Sequence, residues 1–230
     1  MSITSIETVS GYFVDLVNPD PETICIEDIA WAISRMPRYV GHTVSAIPYT
    51  IGQHSIYTAE LVKRLFTATA GAKNCPIGLK KSFDEYVKAK VNPELAEKIH
   101  LLFKNPCPKD LLLETLLHDA TEAYIVDVPT PLKMADEFRQ VYLQLELQMM
   151  AAIRQKFNLP NPKLEYEVFV KWADQVALTI EVYHLIKSRG ANWSRLIQLD
   201  MTTLQLFEAP REPIIVYDDF LNYFTKLQQE

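Results

Sequence analysis

The chain has 230 residues, of which 48% are hydrophobic, and this is enough to bury a large core in a single domain spanning residues 1–230. The formal net charge is −6 and no run of basic residues occurs, which argues against a protein that binds nucleic acid or a membrane surface. The three cysteines form no Cys-x-x-Cys pair, no uncharged apolar run approaches the length of a membrane span, and a secretory leader is not recognisable. The sequence therefore predicts a cytoplasmic protein without a disulfide framework.

Six glycines and frequent stretches of Leu, Ala, Glu and Lys predict an all-α fold, because the closely spaced glycine turns of sheet-rich proteins are missing. Short strands are predicted near both termini, at residues 12–14, 24–26 and 214–217. Hydrophobic periodicity predicts helices at about residues 27–35, 52–67, 93–103, 109–125, 136–157, 164–189 and from 218 onwards. Residues 68–92 contain a loop-like stretch, which we interpret as an insertion within the single domain.

The most informative feature is the doublet His118-Asp119, within the helix predicted over residues 109–125. At about 100° per residue, the polar side chains of this helix share one stripe, and its leucines and alanines cover the opposite side. Glu122 lies four residues after His118, so its carboxylate is expected one turn from a metal held by the doublet. For these residues alone, a merely solvated polar stripe is an equally good interpretation.

Asp174 lies in the helix predicted over residues 164–189, which is so apolar that most of its circumference must be buried. A buried carboxylate is costly unless a cation faces it, and the candidates are a metal ion and Lys171, three residues earlier. A metal is favoured, because a lone buried salt bridge seldom repays its desolvation. His54 opens its own predicted helix, where its side chain can reach a neighbouring helix.

Two imidazoles and two carboxylates form a typical ligand set for a divalent metal of intermediate softness. The sequence therefore predicts a metal site and, as the leading interpretation, metal-assisted hydrolysis. The predicted ligands are His54, His118, Asp119 and Asp174.

The order of these ligands resembles the H…HD…D pattern of the HD-domain metal-dependent phosphohydrolase superfamily. The surrounding words resemble its 5′-deoxynucleotidase-like branch, which includes phage dATP triphosphohydrolases and carries the signatures HDAxEx…DxPxPxK and VKxAD. The resemblance spans about residues 12–190 and is concentrated at residues 33–43, 49–55, 117–133 and 170–174.

This resemblance implies an HD-domain helical bundle that hydrolyses a small-molecule 2′-deoxynucleotide, as a monophosphatase or a triphosphohydrolase. It implies a bound Mn, Co, Zn or Fe ion, with additional Mg arriving with the substrate, and a homo-oligomer. Glu122 and Asp127 are expected to hold or polarise the attacking water. Arg35 is expected near the substrate phosphate, with Arg38 and Lys133 as further substrate-binding cations, although a surface cation is an equally good interpretation of the latter two.

The sequence departs from the branch where Met36 replaces a tryptophan that often follows the arginine, and residues 68–92 are longer than a compact member needs. Two alternatives stay open. An HD-type cyclic-nucleotide phosphodiesterase would need additional imidazoles, but residues 120–173 contain no histidine. A non-catalytic helical protein with a structural metal would not need Glu122 and Asp127 beside the site.

Overall fold

The structure is a computed structural model that describes residues 3–69 and 77–229. Over these ranges it is mostly α-helical, with a small two-stranded sheet, which confirms the predicted fold class. The elements are β1 Ser5–Glu7, β2 Phe13–Asp15, α1 Ile26–Ile33, α2 Ile51–Thr69, α3 Ile77–Lys90, α4 Pro93–Leu102, α5 Lys109–Leu116, α6 Glu122–Ile125, α7 Thr130–Lys133, α8 Asp136–Lys156, α9 Leu164–Leu185, α10 Met201–Leu204 and α11 Pro213–Gln229. Among the described residues, no helix is both long enough and apolar enough to span a membrane.

Helix α2 lies at the centre of the fold and packs chiefly against α9 and α5. It begins after Thr50, whose hydroxyl accepts a hydrogen bond from the backbone nitrogen of Gln53 at 3.3 Å and thereby caps the helix. Gly52 allows close packing at this end, because a Cβ atom there would lie 3.0 Å from Val216 of α11 and 3.3 Å from the Cα of Ser34. The start of α2 is therefore tightly placed, and it carries His54.

An aromatic cluster fixes the other part of α2 against α3 and α9. The ring of Phe83 stacks on Phe169 at 4.8 Å and meets Trp172 edge-on at 5.1 Å, and Phe66 lies 5.4 Å from Phe169. Such aromatic pairs contribute beyond the area they bury. Helix α9, which carries Asp174, is consequently held to α2 over much of its length.

Helix α3 corrects part of the predicted insertion, because residues 77–90 form a packed helix and not a loop. Leu79, Phe83 and Val87 recur every four residues and are buried, whereas Gly71, Pro76 and Gly78 favour a loop in the sequence. Residues 70–76, including Cys75, lie outside the described residues.

The short strands are only partly as predicted. Strand β2 lies one residue later than the prediction at residues 12–14 and pairs antiparallel with β1, with Ile6 opposite Val14. Residues 24–26 form no strand, since Ile24 follows a 3-10 turn and Ile26 begins α1. Residues 214–217 lie in α11, which begins five residues before the predicted start at 218. Residues 214–217 have strand propensity, but burial of one helical face decides their conformation. The buried residues of this face are Val216, Phe220, Phe224 and Leu227.

The helix predicted over residues 109–125 is interrupted. Helix α5 ends at Leu116 and α6 begins at Glu122, and between them the backbone tightens into turns. The nitrogen of Ala120 donates to the carbonyl oxygen of Leu117, and that of Glu122 to the carbonyl oxygen of Asp119, both at 3.0 Å. These hydrogen bonds join residues three apart, as in a 3-10 helix, and the apolar pattern of the sequence continues across them and conceals the interruption. Helix α9 also ends at Leu185, four residues before its predicted end.

Candidate metal site

His54 is fully buried in the first turn of α2 and lies between two aspartates on one side and Glu181 on the other. Its Nε2 atom lies 3.2 Å from Oδ1 of Asp174 and 3.6 Å from Oδ2 of Asp119. Its Nδ1 atom lies 2.6 Å from Oε1 of Glu181. Although burial and Arg38 act to lower the pKa of His54, Glu181 and Asp174 raise it to about 9. The carboxylates around His54 thus favour a positive charge at this position.

The doublet His118-Asp119 occupies the turn between α5 and α6. Nε2 of His118 and Oδ2 of Asp119 lie 3.3 Å apart, although consecutive side chains on a regular helix diverge by about 100°. The imidazoles of His118 and His54 lie 5.2 Å apart, between ring centroids. Burial alone would raise the pKa of Asp119, but the imidazoles and Arg38 hold it well below its usual range. The interruption of the helix therefore brings the two side chains of the doublet to one point.

Asp174 reaches the same point from α9. Lys171, the alternative partner considered from the sequence, instead pairs with Glu167 at 3.1 Å. The Asp174 side chain is 43% exposed, so it is less buried than its apolar helix suggested. Burial opposes ionisation, but the hydrogen bond with His54 and the charges of His54 and His118 together lower the pKa of Asp174. Asp174 thus forms the open side of the cluster.

Three of the four predicted ligands form a cluster that could hold a metal ion, and the fourth lies beside it. Ligand atoms of His54, His118 and Asp174 lie within 4.8 Å of one another, and the distances above place Asp119 beside both imidazoles. Within the described part of the chain, Nε2 of His118 is buried without a hydrogen-bond partner. Its Nδ1 atom lies 2.7 Å from the carbonyl oxygen of Thr115. Each imidazole is therefore oriented through Nδ1 and presents Nε2 to the cluster, as ligating histidines usually do.

Glu181 is a functional candidate that the sequence interpretation missed. It is fully buried on α9, and its carboxylate faces His54, the hydroxyl of Tyr39 at 2.7 Å and Nε of Arg38 at 3.2 Å. Burial opposes its ionisation, but the charges of His54 and Arg38 prevail and lower the pKa of Glu181 to about 2. The signal was present: Glu181 follows Asp174 by seven residues, two helical turns on the same face, in an equally apolar segment.

Arg38 belongs to the cluster and is not a surface cation, because its side chain is only 12% exposed. Arg38 bonds to Glu181 through Nε, and its Nη1 atom lies 3.4 Å from Oδ2 of Asp119. It precedes a turn in which Tyr39, Val40 and Gly41 all have positive φ angles, of 57°, 54° and 76°. A left-handed conformation is uncommon for a β-branched residue such as Val40 and indicates local strain.

Arg35 lies apart from this network. Its guanidinium group stacks 3.3 Å from the ring centroid of Trp31 and donates to the Trp31 carbonyl oxygen at 2.9 Å and the Ser34 hydroxyl at 3.0 Å. Among the described residues it forms no ion pair with the cluster. Its predicted contact with a substrate phosphate stays a prediction.

Glu122 and Lys133 form a second group beside the cluster. Nζ of Lys133 lies 3.2 Å from Oε1 of Glu122 and 4.0 Å from Glu146, over the ring of Tyr142. Oε2 of Glu122 is buried and, within the described residues, has no hydrogen-bond partner. Burial, followed by the charges of Asp119 and Asp127, raises the pKa of Glu122 to about 9.

Asp127, the other predicted catalytic carboxylate, is half-buried and lies near enough to Glu122 to influence its charge. It follows Val126, an exposed β-branched residue with φ of 61° and ψ of 159°. The carbonyl oxygen of Val126 accepts a hydrogen bond from the hydroxyl of Tyr142 at 3.0 Å. The hydrogen bond from Tyr142 of α8 therefore helps to hold the backbone before Asp127 in an unusual conformation.

A cavity of about 200 Å³ opens beside His118, between α5, α8 and α9. Its volume is below the roughly 300–1,000 Å³ of pockets that enclose drug-sized ligands. None of Arg35, Arg38 and Lys133 lines it; its walls include Leu117, His118, Met150, Arg154, Tyr166 and Val170. One wall is fixed by a two-pronged ion pair between Arg154 and Glu114, at 2.7 and 2.6 Å.

Fold and site together define a mostly α-helical protein in which His54, His118 and Asp174 form a cluster that could hold a metal ion. No protein-family model matches the chain. It is 28% identical over 227 residues to the uncharacterized protein YfdR of Escherichia coli, covering 97% of this chain and 96% of YfdR. It is 30% identical over 189 residues to the uncharacterized protein RCAP_rcc00048 of Rhodobacter capsulatus, covering 82% of this chain and 76% of that protein. The chain belongs to the same family as RCAP_rcc00048.

Proposed function

We propose that the protein is a metal-dependent phosphohydrolase of the HD-domain type that acts on 2′-deoxynucleotides. The observation that carries the proposal is the convergence of His54, His118, Asp119 and Asp174, with the buried Nε2 of His118 left without a hydrogen-bond partner among the described residues. A buried imidazole nitrogen that makes no hydrogen bond is costly, and coordination to a metal ion would remove this cost. The order of these ligands along the chain resembles that of the HD superfamily.

The chemistry needs a metal and a group that handles a proton. A divalent ion, when bound, supplies positive charge that polarises a phosphoryl oxygen and favours deprotonation of water. Glu122 is the proposed acid-base residue, because Lys133 holds one of its oxygens and leaves Oε2 free to accept or donate a proton. Asp127 helps to orient the water that attacks in line. Arg38 offsets negative charge at the phosphoryl group through its position beside Asp119.

The substrate class rests on the resemblance to the 5′-deoxynucleotidase-like branch. We favour dATP or dAMP, with crowding at the sugar disfavouring the ribose 2′-hydroxyl. In a chain with net charge −6, a few local cations must recognise the phosphate, and Arg35, Arg38 and Lys133 are the candidates. The proposal includes Mn, Co, Zn or Fe at the cluster, Mg brought by the substrate, a homo-oligomeric state and a role in the cytoplasmic nucleotide pool.

A hydrolysis panel tests this function. Purified protein is incubated with each deoxynucleoside mono- and triphosphate and its ribo counterpart, in the presence of Mn²⁺, Co²⁺, Zn²⁺ or Mg²⁺, and products are identified by chromatography. We expect metal-dependent release of phosphate or triphosphate from the deoxy forms, and none from the His118→Ala variant.

Two results would overturn the proposal. Activity confined to 3′,5′-cyclic nucleotides would favour the phosphodiesterase alternative. A tightly bound metal without turnover of any substrate in the panel would favour a structural metal.

A further inference from the structure

We propose that Glu181 is a positioning residue that fixes His54 and Arg38 as one unit and thereby sets the metal affinity of the cluster. This inference rests on the proposed function, because it assumes that His54 is a metal ligand. Nothing in the resemblance assigns a role to this residue.

The first step is the charge balance around Glu181. A fully buried carboxylate is strongly destabilising unless its charge and its lone pairs are matched. Here Arg38 supplies the charge at 3.2 Å, while Tyr39 and His54 supply hydrogen bonds at 2.7 and 2.6 Å. All three partners belong to the site or lead into it, and none belongs to the surrounding apolar core. The residue is therefore placed to organise the site and not merely to pack.

The second step is the tautomer of His54. An ionised Glu181 can only accept a hydrogen bond, so the proton of a neutral His54 is held on Nδ1. The lone pair of Nε2 is then directed toward Asp119 and Asp174, which is the state a metal ligand requires. A glutamine at position 181 could either accept from Nδ1 or donate to it, and would no longer select one tautomer.

The third step concerns the turn at residues 39–41. Neighbouring side chains in extended chain point in opposite directions, yet Arg38 and Tyr39 reach the same carboxylate. The left-handed conformation of Tyr39 makes this possible, and its strain is offset by the contacts with Glu181. The same carboxylate thus positions a metal ligand and the guanidinium group that contacts Asp119.

The test measures metal binding, so it needs no catalytic activity. Zn²⁺ affinity is determined by chelator competition for the wild type, Glu181→Gln, Tyr39→Phe and Thr179→Val. Thr179 is a matched control, because it is a buried polar residue on α9 that bonds to Gln175 and Ile197 and not to the site. We expect Glu181→Gln to weaken Zn²⁺ binding about 10- to 100-fold, the usual effect of removing a hydrogen-bond partner of a ligating histidine. Tyr39→Phe should have a smaller effect, and Thr179→Val none.

Imidazole ¹⁵N NMR gives a second readout that altered packing alone would not change. In the wild type the chemical shift of the Nδ1–H group of His54 should be that of a strong hydrogen bond. This chemical shift should change in Glu181→Gln and stay the same in Thr179→Val. If Glu181→Gln fails to fold, Tyr39→Phe carries the test, since it removes one hydrogen bond and no charge.

The outcomes separate this inference from the proposed function. Unchanged Zn²⁺ affinity in folded Glu181→Gln, or in Tyr39→Phe where only that variant folds, would overturn the positioning role and leave the metal site intact. A wild type that binds no metal would overturn both.

Discussion

The two sides of the candidate site are built differently. On the His54 side, helices α2 and α9 carry His54 and Glu181, and Arg38 from the turn before α2 completes a closed network with them. On the Glu122 side, short helical turns carry the groups, and a buried carboxylate oxygen has no hydrogen-bond partner among the described residues. The first side is suited to hold a charge in place. The second keeps an acidic group available, as an acid-base role requires.

The largest effect should come from removing a proposed metal ligand. His118→Ala or Asp174→Ala should abolish metal binding and activity and lower the melting temperature, because a metal that binds only the folded state stabilises it. Metal analysis of the purified variants and thermal unfolding measure this. Lys171→Ala is the control, since Lys171 pairs with Glu167 and should leave the metal content unchanged. Full metal loading of either ligand variant would refute the site.

The sequence identified side chains that come together in the structure, for reasons that are specific to these residues. His54, His118, Asp119 and Asp174 are chemically recognisable types in a characteristic order, and the structure brings them together. Asp174 was also found by a physical argument, a carboxylate in an apolar helix, which the sequence analysis did not extend to Glu181. The partners of Glu181 lie 127 and 143 residues away, and local periodicity carries no information about such contacts.

Three elements were predicted less well, because the preference of the local sequence and the packing of the folded chain disagree there. The apolar pattern of residues 109–125 continues across the break between α5 and α6, where hydrogen bonds join residues three apart. Residues 214–217 have strand propensity, but burial of one face against the core makes them helical. Helix α3 is concealed in the sequence by Gly71 and Pro76 before it and by Gly78 at its second position. In each case the deciding interaction is tertiary, and it is absent from a short window of sequence.

The next largest effect should separate chemistry from binding. Glu122→Gln should keep the metal and lose about 10²- to 10⁴-fold in kcat, the usual contribution of a positioned acid-base group. Glu146→Gln is the matched control, because Glu146 also approaches Lys133 but is not proposed to act on a proton. Steady-state kinetics together with metal analysis distinguish the two. Retained activity would remove Glu122 from the mechanism, and loss of metal would make it a ligand.

A third comparison concerns the two arginines. We expect Arg38→Ala to cost about 1.5–3 kcal/mol in transition-state stabilisation, or roughly 10- to 150-fold in kcat/KM, the scale of a charge-assisted hydrogen bond. Arg35→Ala should cost less, because its guanidinium group is stacked on Trp31 and bonded to its own helix. Kinetics with the best substrate of the panel decide between them. A larger effect for Arg35 would mean that substrate binding draws it away from Trp31.

The smallest effect tests the backbone strain in the turn at residues 39–41. A left-handed conformation costs a residue with a Cβ atom roughly 1–2 kcal/mol, whereas the extra freedom of an unfolded glycine costs roughly 0.5–1 kcal/mol. Val40 has φ of 54° and a side chain that is 62% exposed, so Val40→Gly sacrifices little packing. We expect it to raise the free energy of unfolding by about 0.5–1 kcal/mol, as measured by urea denaturation without metal. Val44→Gly is the control: Val44 is 64% exposed and lacks a positive φ, so the same change there should destabilise the protein. Equal destabilisation by both would show that the turn before α2 stores no strain, and that Arg38 and Tyr39 reach Glu181 without cost.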